Sequence, residues 1–98
     1  MITIQGTEMD FGDMKFGKSY TKDFKITNND DKPLLIKELG KSCTCTEAWM
    51  DSNLIPAKSD GIVHVKVTPG STGLFLRSFW FVAGNRGATT IQLKGKVT

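Results

Sequence analysis

Apolar and polar side chains alternate with a period of two over most of the chain. In SYTKDFKIT, residues 19–27, Tyr20, Phe24 and Ile26 share one parity and Thr21, Asp23, Lys25 and Thr27 share the other. That is the pattern of a strand with one buried face. IVHVKVT, residues 62–68, repeats it, with Val63, Val65 and Val67 facing in and Ile62, His64 and Lys66 facing out. TTIQLKGKV, residues 89–97, puts Ile91, Leu93 and Val97 in and Thr90, Gln92, Lys94 and Lys96 out. LFLRSFWFVA, residues 74–83, differs: Phe75, Phe79 and Phe81 hold one parity, and Leu74, Leu76, Trp80 and Val82 hold the other, so neither face is polar. LLIKEL (34–39) and CTCTEAW (43–49) read as further strands. The second sets Cys43, Cys45 and Trp49 against Thr44, Thr46 and Ala48.

Turn formers punctuate these runs. They are NNDDKP at 28–33, SDG at 59–61, PGSTG at 69–73 and GNRG at 84–87, where Asn85 suits a left-handed backbone. Pro56 argues against a central strand in SNLIPAKSDG. MDFGDMKFG, residues 9–17, reads as an opening strand interrupted by glycine, and no window carries a helical apolar stripe. About seven short strands at this spacing predict an all-β fold, a single immunoglobulin-like antiparallel sandwich; a small barrel is the competing solution. With 98 residues the chain makes one domain, 1–98, with residues 1–10 as an added edge strand or arm.

The order of features resembles a known family. FKITNNDDKPLLIKELGKSCTCTEAW contains an N-x-D-x-x-P-L stretch from Asn28 to Leu34, then Ser42-Cys43-Thr44-Cys45-Thr46. This is similar to bacterial Hydin-like, ASH-type immunoglobulin modules, in which a Ser-Cys-Gly-Cys-Thr motif stands there; Thr44 replaces its usual glycine. IPAKSDGIVHVKVTP, with Ala57 for a glycine, and IQLKGKV extend the likeness over residues 11–98. The resemblance implies a seven-stranded sandwich serving as a binding or structural module, in a family of largely unknown function. A phage-encoded member fits, since many relatives carry a leader and this chain starts without one.

Charge narrows the partners. Thirteen Lys and Arg against ten Asp and Glu give a net charge of +3, interleaved along the chain. No basic run marks a nucleic-acid arm. MITIQGTEMDF has neither the basic nor the apolar region of a signal peptide, and no apolar run reaches the roughly 18 residues of a membrane span. The expected location is a virion or the cytoplasm, and the periplasm only if a leader was removed.

Two thiols and one histidine are the only candidates for chemistry. Cys43 and Cys45, at i and i+2 of an extended strand, would sit about 6.5–7 Å apart, so a bridge between them, the third reading of the pair, needs a bent backbone. The leading reading makes both thiols small buried hydrophobes. A copper(I) site of Cys43, Cys45 and His64, in a periplasmic metal-handling or redox module, is the rival. His64 lies on an outward parity without a nucleophile motif, so no enzyme and no cofactor are expected. Leu74, Leu76 and Trp80 point instead to an apolar sheet face that binds other proteins, with Arg77, Lys94 and Lys96 as rim charges. Ile2 and Ile4 supply a strand for a neighbour's sheet edge or for the chain's own sandwich. The expected role is a non-enzymatic, many-copy assembly component, such as a capsid decoration, neck or tail protein of a virion.

Overall fold

The computed structural model describes residues 2–42 and 44–98. Among these, nine strands form: β1 (Ile2–Ile4), β2 (Glu8–Met14), β3 (Tyr20–Asn28), β4 (Leu34–Lys41), β5 (Thr46–Trp49), β6 (Leu54–Ile55), β7 (Asp60–Val67), β8 (Gly73–Ala83) and β9 (Ala88–Val97). They build two sheets, one of four strands in the order β1-β3-β7-β5 and one of five in the order β2-β9-β8-β4-β6. The expected sandwich is present, with two corrections. The strands number nine rather than about seven, because Ile2–Ile4 forms the added edge strand β1 and β6 is a two-residue edge strand. One pairing is also parallel: β2 runs alongside β9, matching Met9 to Leu93 and Met14 to Val97.

The alternation sets the core. Phe24 and Ile26 of β3, Val63, Val65 and Val67 of β7, Phe75, Phe79 and Phe81 of β8, and Ile91, Leu93 and Val97 of β9 are all buried between the sheets. At their centre Phe24 meets Phe79 edge to face, ring centroids 5.6 Å apart. A face-to-edge pair of this kind stabilises beyond its buried area.

Two polar side chains, Asn28 and Thr46, join them. Asn28, the first residue of the N-x-D-x-x-P-L stretch, is 1% exposed. Its amide donates to the carbonyls of Lys32 (2.9 Å), Pro56 (3.1 Å) and Ile55 (3.2 Å), and its Oδ1 accepts from the N–H of Asp30 (3.0 Å). It thereby ties the β3–β4 turn to the β6–β7 connection, satisfying carbonyls that would otherwise be buried without partners. At the GNRG turn the left-handed residue is Gly84 (φ 58°), not Asn85. Glycine carries no Cβ to oppose that conformation.

Candidate interaction surface

The outer face of the five-stranded sheet carries what the sequence leaves unburied on β8. Register sets its rows: Asp10, Lys94 and Leu76 lie side by side, as do Asp13, Lys96 and Leu74. Thr90, Trp80 and Gly40 form another row. Leu74 is 76% exposed and Leu76 55%. Lys94 reaches Glu8 at 3.0 Å across the face. That carboxylate raises the Lys94 pKa, first by hydrogen bonding and then by its charge. At the far end of the same sheet, Leu35 and Leu54 pair across β4 and β6, and both are exposed.

The expected contact residues divide. Leu74, Leu76 and Trp80 share this outer face. Trp80 is half-buried, however, because its indole lies flat over Gly40, where any Cβ would overlap the ring. Arg77 does not join them. It stands on the inward parity between Phe75 and Phe79, its guanidinium 5.4 Å from the Phe75 ring and donating to the Leu76 carbonyl at 2.6 Å. Alternation along one strand sends Arg77 and Leu76 to opposite faces. Ile2 and Ile4 form no free arm: β1 pairs with β3, and both side chains pack against the core. The chain's own sheet edge is the nearest place to satisfy those backbone groups.

The second exposed cluster lies on the four-stranded sheet, where Asp23, His64 and Trp49 occupy one cross-strand row. His64 Nδ1 is 2.8 Å from Asp23 and Nε2 is 3.3 Å from Asp51. The Trp49 ring, 41% exposed, sits 5.4 Å from the imidazole. Asp23, and then Asp51, stabilise the imidazolium and raise its pKa above the ordinary 6.5. Sequence reasoning missed this arrangement, because it depends on which strands flank β7.

The thiol reading needs correction. Cys45 is disulfide-bonded, and Cys43 lies outside the described residues. The extended geometry behind the free-thiol expectation does not hold, since residues 44 and 45 form a turn and β5 begins at Thr46. Parity follows from that start: Thr46 is buried and Trp49 points out. Cys45 accepts from Thr68 at the far end of β7, four positions beyond His64 and so roughly 13 Å away along the strand. Among the described residues no group of three or more His, Cys, Asp or Glu could hold a metal ion.

The architecture is that of an immunoglobulin-like β-sandwich. An ASH/PapD-like domain of human CEP192 superposes with a TM-score of 0.76 at 11% identity, over 99% of this chain and 84% of that one. The chain belongs to the family described as "Protein of unknown function (DUF1573)", which matches residues 2–97. A protein of unknown function from Porphyromonas gingivalis W83 superposes with a TM-score of 0.84 at 16% identity, over 97% of this chain. This chain spans 46% of that protein's length. The CupB2 chaperone of Pseudomonas aeruginosa gives 0.65 at 8% identity, over 97% of this chain and 55% of that one. At these identities the likeness is one of fold. No curated protein matches the chain.

Proposed function

We propose that this chain is a non-enzymatic binding module that holds another protein against the outer face of its five-stranded sheet. The observation that carries the reading is the neighbouring pair Leu74 and Leu76, 76% and 55% exposed on a long central strand. Apolar side chains grouped on a sheet face mark a contact surface. Trp80 and Val82 continue the strip along β8, and Lys94 and Lys96 border it. The likeness to ASH, PapD-like and chaperone folds supports the reading, as sandwich folds used for recognition.

The test is sedimentation of the chain alone and in extract of its native cell. The expected result is a monomer alone and a larger complex in extract. Replacing Leu74→Asp and Leu76→Asp should abolish that complex while the circular dichroism spectrum stays unchanged. Leu76→Ala alone should weaken binding by about 2 kcal/mol, near thirtyfold. A monomer in both samples would overturn the reading. The narrower form, a many-copy component of a particle such as a virion, requires a megadalton species in the extract, since repetition on a lattice supplies avidity.

A further inference from the structure

β4 is paired with β8 on one side, but on its other side β6 covers only Leu34 and Leu35. Asn53 closes one more place, accepting from the Ile36 N–H at 2.8 Å and donating to the Ile36 carbonyl at 3.4 Å. From Glu38 to Lys41 that side has no strand partner among the described residues. Ser42 donates its N–H to Ser78 O at 3.0 Å, which fixes the alternation of the pair. Residue 40 therefore faces β8, and the N–H and C=O groups of Leu39 and Lys41 face away from it.

A groove runs beside this open edge, as two adjoining cavities of about 610 and 220 Å3 that share Leu39. Its floor is Leu39 and Ala48, both packed on the core. Lys41, Lys66 and Glu47 stand at its rim. Neither lysine has an ion pair among the described residues. A second copy is a poor occupant, because it would bring both copies' lysines into one groove. Lysine on an open edge is a common guard against such self-pairing.

We infer that this length of β4 accepts an extended strand from a partner protein, with an apolar side chain opposite Leu39 and a carboxylate opposite Lys41. Backbone groups supply the pairing and the two side-chain positions supply the selectivity. The site goes beyond the docking face proposed above, and the side chains that select its occupant, Leu39 and Lys41, lie on the opposite parity of β4 from Gly40 and that face.

The experiment is a titration of the 15N-labelled chain with the acetylated peptide Thr-Glu-Thr-Val-Thr-Thr, and with its counterpart carrying Lys for Glu. Saturable amide shifts at Leu39, Lys41 and Ala48 are expected, with the Lys peptide about fivefold weaker or worse. Lys41→Glu should reverse that preference, and the two peptides on the unmodified chain decide the matter should that variant fold poorly. A chain carrying Leu74→Asp and Leu76→Asp should bind the peptide unchanged, which separates this site from the docking face. Three results would each overturn the inference: no shift at millimolar peptide, shifts that map elsewhere or ignore the charge, or peptide-free, concentration-dependent shifts at this edge, meaning that a second copy sits there.

Discussion

Replacing Asn28 by alanine tests the polar node between the two sheets. The side chain is 1% exposed and reaches four backbone groups at 2.9–3.2 Å. Two amide hydrogens shared among three carbonyls, together with the Oδ1 acceptor, amount to three full hydrogen bonds. At about 1 kcal/mol net for each, the loss is about 3 kcal/mol, and any carbonyl left buried without water adds to it. For a domain of this size each kcal/mol lowers Tm by roughly 4–8 °C, so a fall of roughly 12–24 °C is expected. Urea unfolding followed by circular dichroism, with scanning calorimetry beside it, measures both quantities. The midpoint should drop with the slope unchanged, since the surface exposed on unfolding is nearly the same. Asn28→Asp should recover only the contact to the Asp30 N–H, because a carboxylate cannot donate to the three carbonyls. A loss below about 0.5 kcal/mol for the alanine variant would refute the reasoning, because it would mean that water replaces the amide at no cost.

The remaining predictions concern the two faces. His64 has its folded pKa raised by Asp23 and Asp51, so its contribution to stability is complete below the unfolded value of 6.5 and fades as pH rises through the higher folded value. Tm measured from about pH 6 to about pH 9 should therefore fall more for the unmodified chain than for His64→Gln; equal slopes would sink the assignment. Gly40→Ala places a methyl group where the Trp80 indole lies and should turn that ring toward solvent, at a cost of roughly 1–3 kcal/mol. Acrylamide quenching of Trp80, read in a Trp49→Phe background, should rise; unchanged quenching would place the indole elsewhere.

Period-two patterning made the inner face legible. The inward sets of β3, β7, β8 and β9 are those that alternation selects, down to the three phenylalanines of β8. The outward Leu74 and Leu76 were legible for the same reason. Pairing was not, because alternation assigns faces and says nothing of neighbours. The parallel contact of β2 with β9 joins residues more than eighty positions apart. The Trp80 slot exists only because β4 sets Gly40 beside it, and His64 meets two carboxylates only because β3 flanks β7 and Asp51 follows β5. β6 is too short to leave a period. Arg77 has a readable inward parity, and alternation along β8, not the side chain's charge, sets the face on which it stands. The turn at residues 44 and 45 hid within a run that looked extended.

The side-by-side course of β2 and β9 gives the molecule a mechanical character. Tension applied through the segments before β2 and after β9 drags these two strands past one another along their length. Their backbone hydrogen bonds then carry the load together, in shear, rather than peeling open one at a time.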